Sequence, residues 1–191
     1  MNQVLSWLAG GDLRSDGVSN QVSELVLKEP QLLDELLEGL GVPDEVVRGR
    51  TADALEKIAR TRPDLLIDQL PELIRVAESD EVPMVRWHIA MLLGHLSIYP
   101  QHEADITETL LCMLKDSSVF VQSWSIVSLC IMAKQYPHEC QQIITAISPL
   151  LRSHSPAIRT RARKALALLS NETAPFPKGW IKSAHLQELY E

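Results

Sequence analysis

The stretch Trp87–Pro100, WHIAMLLGHLSIYP, returns as WSIVSLCIMAKQYP over Trp124–Pro137. Trp87 and Trp124, Ile89 and Ile126, Leu92 and Leu129, Tyr99 and Tyr136, and Pro100 and Pro137 all stand 37 residues apart. A self-match at a fixed period of this length is the mark of stacked structural repeats. The same step reaches Arg50 and Pro63 on one side and Arg161 on the other, so the interval runs through most of the chain.

Working outward, Val47, Met84, Val121 and Ile158 open the first helix of successive repeats, and eight residues later each repeat carries a leucine: Leu55, Leu92, Leu129 and Leu166. A leucine kept at one position marks the deepest core contact. Three of these helices run into Pro63, Pro100 and Pro137, where a proline ring cannot continue the hydrogen-bond ladder and a turn is expected. The second helices follow, with Leu73, Leu110 and Ile147 in register, and Ala77, Leu114 and Leu151 likewise. One such pair is too small to bury both its faces, so neighbours must stack around a shared core.

Before this array, Val18, Val22, Leu25 and Val26 suggest a helix that Pro30 breaks. Leu33, Leu36, Leu37 and Leu40 continue the apolar stripe until Gly41. Residues 1–17 read as an N-terminal lid or loop, residues 18–171 as the repeat domain. The period stops after Asn171, and residues 172–191 read as a linker with a short helical tail containing Trp180, Ile181, Leu186, Leu189 and Tyr190. A further reading, beside binding module and enzyme, has that tail dock on the protein's own groove or on a neighbouring subunit.

The first helices resemble those of the HEAT repeat family, whose Asp-x-x-x-Val-Arg-x-x-Ala-x-x-x-Leu-like pattern is met by Asp44, Val47, Arg48, Ala52 and Leu55. It is met again by Val85, Arg86, Ala90, Leu93 and Gly94, and by Ile158, Arg159, Ala162 and Leu166. The third repeat has Gln122 where arginine is usual, and the second fits one residue out of the tryptophan register. The resemblance covers about residues 18–171. It implies an all-α, right-handed α-solenoid of HEAT-like helical hairpins. It says little about activity, because such folds carry many functions.

Composition narrows the classes. Hydrophobic residues make up 46% and aromatics only 5%, which suits helices packed on helices, and the formal net charge is −7. Residues 1–47 hold two basic and nine acidic side chains, residues 152–191 seven basic and three acidic. A surface coated throughout for nucleic acid is therefore not expected. No stretch approaches membrane-spanning length. The apolar run in MNQVLSWLAGG is too short for a signal peptide. Cys112, Cys130 and Cys140 lie in apolar helical patterns without a C-x-x-C pair, which predicts reduced core thiols and a cytoplasmic location.

Two surfaces are candidate partner sites. One is the series Arg50, Trp87, Trp124 and Arg161, expected at one position on the flank of the first helices, where indoles bracketed by guanidinium groups would make an interaction patch. The other is a carboxylate surface on the second helices, Asp68 and Glu72 with Asp105 and Glu108, suited to a basic peptide. The indoles could instead fill grooves between helices while the arginines extend to solvent. The carboxylates could simply be a solvated face.

Enzyme readings are weaker. The basic cluster Arg152, Arg159, Arg161, Arg163 and Lys164 could grip phosphates. With Trp87, Trp124 and Asp105 it invites comparison with HEAT-like alkylpurine DNA glycosylases, although no local motif of that family is present. The dyads His102-Glu103 and His138-Glu139 bring to mind HEAT-type deoxyhypusine hydroxylases, which hold two irons through four such dyads. Two dyads at the starts of second helices fall short of that set, and no metal or other cofactor is expected. His88 and His95 read as packing or solvated residues. The expectation is a non-catalytic scaffold or adaptor that binds a protein or peptide, with oligomeric state open.

Overall fold

The computed structural model describes residues 2–190; Met1 and Glu191, the outermost residues of the expected lid and tail, lie outside the described residues. The described residues form eleven α-helices and no strand. They divide into two compact units, the first ending at Leu92 and the second beginning at Leu93, so the boundary falls within one helix.

The first unit begins with α1 (Gln3–Leu8), capped by the Asn2 side chain, which accepts from the Leu5 amide at 2.9 Å. Val4, Leu5 and Leu8 of α1 are buried. The segment expected as a lid or loop therefore carries a helix that belongs to the unit's core. After α2 (Ser19–Lys28) and the short α3 (Leu33–Leu37) comes α4 (Glu45–Ala59), on which α1 and α2 both pack. Asp44 caps α4 by accepting from the amides of Val46 and Val47. Pro63 opens a short 3-10 turn, as a residue with a fixed φ and no N–H can. The second helix, α5 (Leu70–Ser79), starts only after another such turn, because Pro71 suits a first turn rather than a helix interior. α6 (Pro83–His95) follows and contains the boundary.

The second unit continues through α7 (Glu103–Met113), α8 (Val119–Gln135), α9 (Cys140–Ile147), α10 (Pro156–Leu169) and α11 (Ala184–Tyr190). α8 packs against α7, α9 and α10. Turns open at Pro100 and Pro137, as the prolines predict. Tyr136 donates its hydroxyl to the carbonyl of Ser97 at 2.6 Å and ties two of these turns together.

Leu55, Leu92 and Leu129 are fully buried, as are Leu73, Leu110 and Ile147. Two expected core positions differ. Leu166 is only half-buried. Leu151 is 41% exposed, because Pro149 converts the end of the second helix into a 3-10 turn that rotates Leu151 away from the core. The thiols also differ from expectation: all three are free, but only Cys130 is buried, while Cys112 is exposed on α7.

One correction concerns register. The first helices start at 45, 83, 119 and 156, so α6 begins one residue later than a constant interval of 37 would place it. Pro83 sets that start. The consequence is visible in a repeated hydrogen bond three residues into each helix. Arg48 reaches back to the carbonyls of Val42 and Pro43, Arg86 to Asp80, Gln122 to Asp116, and Arg159 to Ser153 and His154. Each helix has a side chain that binds the carbonyl six residues earlier and so closes the turn leading into it. Gln122 therefore does the work of the arginines, and Arg86, one residue out of the tryptophan register, is in place. Counted from the helix starts, His88 corresponds to Arg50, Trp124 and Arg161. Trp87 is one residue off that position, so the expected series of four does not hold.

Candidate functional site

In the first unit, Arg50 is not a surface residue. It is 5% exposed, and its guanidinium donates to four carbonyls of the N-terminal segment: Leu8 at 2.8 Å, Gly10 at 2.6 Å, Ser15 at 3.2 Å and Asp12 at 3.3 Å. The segment wraps the guanidinium and turns away at Gly17, whose φ of +55° and contact with Arg50 leave no room for a side chain. Sequence reasoning missed this role because the partners are backbone oxygens, which carry no residue signature.

Trp87 is half-buried, and its indole nitrogen lies 3.1 Å from His88 Nε2. His88 belongs to a buried polar cluster that was also missed. Its Nε2 lies 3.2 Å from Asp53 Oδ1, and its Nδ1 lies 2.8 Å from the Met84 carbonyl. Asp53 accepts from Lys57 at 2.8 Å and from the Ser19 hydroxyl, joining α2, α4 and α6. Burial would push the Asp53 carboxyl up, but hydrogen bonding and charge from His88, with hydrogen bonds from Lys57 and Ser19, hold it well below its ordinary value of 3.8. Around α5 the carboxylates are more open: Asp68, in the 3-10 turn ahead of the helix, is exposed, and half-buried Glu72 on α5 is paired with the exposed Arg75 at 2.5 Å.

The second unit holds the remaining candidates. Asp105 and Glu108 are exposed on α7. The two dyads do not act as dyads. Instead Glu103, His138 and Glu139 converge, with ligand atoms all within 4.8 Å of one another and His138 Nε2 2.6 Å from Glu103 Oε1; His102 is not in the group. Such a set could accept a divalent cation; the imidazole meets Glu103 alone, since His138 Nε2 lies 4.0 Å from Glu139 Oε1. Glu103 begins α7 and Glu139 caps α9, so two positive helix ends face this point and oppose a further cation.

Trp124 and Arg161 do meet, and they meet with the tail. The Arg161 guanidinium lies 5.6 Å from the centre of the Trp124 ring and 5.3 Å from that of the Trp180 ring, while the Lys182 ammonium lies 4.7 Å from the centre of the Trp124 ring. Gly179, at φ +81°, makes the left-handed turn that brings Trp180 inward, where it is 5% exposed. The tail is further held by Lys134, which donates to the carbonyls of Asn171 and Glu172, and by Tyr190, which donates to Gln135 Oε1 at 3.0 Å. The tail thus docks in cis within this unit.

Around the indoles opens a cleft of about 680 Å³ lined by Trp124, Thr160, Arg161, Lys164, Lys178 and Lys182 with the backbone near Gly179. Among the described residues its lining holds four cations and no carboxylate. No acceptor among them reaches Arg161, whose hydrogen-bond donors stay unused while burial lowers its affinity for its proton. Of the basic cluster expected near the last repeat, only Arg161 and Lys164 line the cleft; Arg159 is spent on its turn. Asp105, the acid considered for base removal, is not part of it.

No family model matches this chain, and no curated protein sequence matches it. Among solved structures it is similar to a chain described as the crystal structure of an engineered protein, at 16% identity over 87% of this chain and 78% of that one, with a TM-score of 0.61. At that identity the likeness speaks to fold alone. No helix of the described residues is long and apolar enough to cross a membrane.

Proposed function

We propose that this chain is a non-catalytic interaction module, an α-solenoid of HEAT-like helical pairs, that captures an acidic peptide segment of a partner protein in the Arg161 cleft. One observation carries the reading: a half-buried guanidinium, within cation–π distance of two indoles, has no acceptor of its own. A guanidinium held by aromatic rings keeps its N–H donors free for a carboxylate or similar oxyanion, and being already restrained it loses little freedom on binding. The lysines supply the attraction, and Trp124 holds Arg161 and Lys182 over its ring. The repeated turn-closing side chains Arg48, Arg86, Gln122 and Arg159 support the HEAT-like part of the proposal. The free thiols fit a cytoplasmic setting.

A basic peptide on the exposed Asp68, Asp105 and Glu108 is the competing expectation. Fluorescence anisotropy with degenerate peptides rich in Glu or rich in Lys separates the two. Capture of the Glu-rich set, weakened by Arg161→Ala or Trp124→Ala in folded protein, is the expected result. Preference for the Lys-rich set, lost on Asp68→Lys with Asp105→Lys, would reverse the assignment.

A further inference from the structure

We infer that the Arg161 cleft is a receptor for a phosphorylated side chain carried by the partner peptide. This rests on the preceding reading of the cleft and adds the identity of the anion.

The number of donors in the cleft exceeds what a carboxylate can use. The planar edge of Arg161 offers paired N–H groups, and Thr160, Lys164 and Lys178 bring a hydroxyl and two ammonium groups to the same cleft. Arg161, Thr160 and Lys164 all stand on α10, so their spacing is fixed by the helix rather than by loop motion. A carboxylate has two oxygens and a single charge, and it would leave most of these donors unused. A phosphate monoester presents three oxygens and carries about −1.5 to −2 at neutral pH, which matches several cations at once.

The cleft has no internal counter-charge among the described residues. Arg161, Lys164 and Lys178 have no carboxylate partner among the described residues, and the lining contains none. In the first unit the equivalent Arg50 is saturated by four carbonyls, so an open guanidinium is not a general property of this helix position. The tail that passes over Arg161 contributes an indole, which holds the group in place without occupying its donors.

A nucleic-acid strand does not suit the cleft. Strand binders combine a basic track with successive exposed aromatic platforms. Here Trp180 is 5% exposed, and Lys182 and Arg161 already lie over Trp124, so consecutive bases find no row of free faces. A net charge of −7 also repels a polyanion, whereas one phosphate on a peptide needs only the cleft.

The test is fluorescence anisotropy of the full chain with degenerate peptide libraries. One position is fixed as phosphoserine, phosphothreonine or phosphotyrosine, as the unmodified residue, or as Glu, and labelled oligo(dT) serves as the strand probe. At least one phosphorylated library is expected to bind about tenfold more tightly than its unmodified and Glu counterparts. That preference should fall by about tenfold in Arg161→Lys, which keeps the charge but loses the fork. Lys164→Ala with Lys178→Ala, both exposed and remote from the core, provides a variant whose loss of binding cannot be ascribed to unfolding. Equal binding of the Glu library would overturn the phosphate inference while leaving the acidic-peptide reading intact. Binding of no peptide, or tighter binding of oligo(dT), would remove both. A phosphopeptide preference unchanged in all these variants would move the site elsewhere and overturn the inference.

Discussion

Arg50 and Arg161 stand at the same place in their helices, five residues past the first, yet have opposite fates. The difference lies in the chain that crosses each one. The N-terminal segment offers carbonyls and a glycine turn, so Arg50 becomes a buried clamp; the tail offers Trp180, so Arg161 is stacked and left open. Arg50→Met is expected to cost about 3 kcal/mol, since several carbonyls lose a charged donor. Arg161→Met should cost roughly 1 kcal/mol or less, the scale of a partly exposed cation–π contact. Urea unfolding of the two variants side by side checks this, and equal losses would contradict it. Asp53 carries the pH dependence. Its folded value is depressed, so its contribution is present in full above the ordinary value of 3.8 and is lost as pH falls below that toward the folded value. Asp53→Asn should remove about 3 kcal/mol at neutral pH by leaving the Lys57 ammonium without its buried counter-charge. The variant's stability should also vary less than the wild type's between pH 4 and pH 2, read from denaturant midpoints.

At the level of elements, the interval of 37 made the leucines and the proline turns legible, because both depend on local geometry that a periodic sequence repeats. It also misled. A constant interval between tryptophans conceals that α6 starts one residue late at Pro83, which puts His88 rather than Trp87 at the position of Arg50 and Trp124. The displaced Arg86 and the substituted Gln122 looked like departures from the HEAT pattern and are the same turn-closing device. Of the candidate site, Trp124 and Arg161 could be read from the sequence. Trp180, Lys178 and Lys182 could not be joined to them, because nothing in residues 172–191 repeats, and the left-handed turn at Gly179 is a backbone property. Gln122→Ala should cost about 1 kcal/mol, the net worth of one such hydrogen bond, while Gln122→Arg should be neutral or slightly stabilising. Thermal unfolding of both variants decides. For the tail, Gly179→Val strains a φ of +81° even though the space around it is empty, and should free Trp180. A red-shifted tryptophan emission with weaker capture of acidic peptide is expected. An unchanged spectrum would mean that the turn tolerates a side chain.

For the molecule as a whole, charge is distributed against its sum. The chain carries −7, yet residues 152–191 hold seven basic against three acidic side chains, and the cleft collects four of the cations. An acidic peptide therefore approaches a protein that repels it at long range and attracts it at one place. Repulsion between exposed charges is screened over about 10 Å at 0.1 M salt, whereas a half-buried guanidinium stacked on indoles is screened much less. Two opposing salt effects follow. Raising salt from low values should first speed association, as the net repulsion fades, and then lower affinity as the exposed Lys164 and Lys178 lose their pull. Stopped-flow association rates and equilibrium anisotropy across about 0.02 to 0.5 M salt would separate the two effects. In Lys164→Ala with Lys178→Ala the affinity should become nearly independent of salt, while the acceleration of association persists. A single monotonic fall of both rate and affinity, with no rising phase, would mean that the acidic remainder of the chain exerts no influence on the cleft.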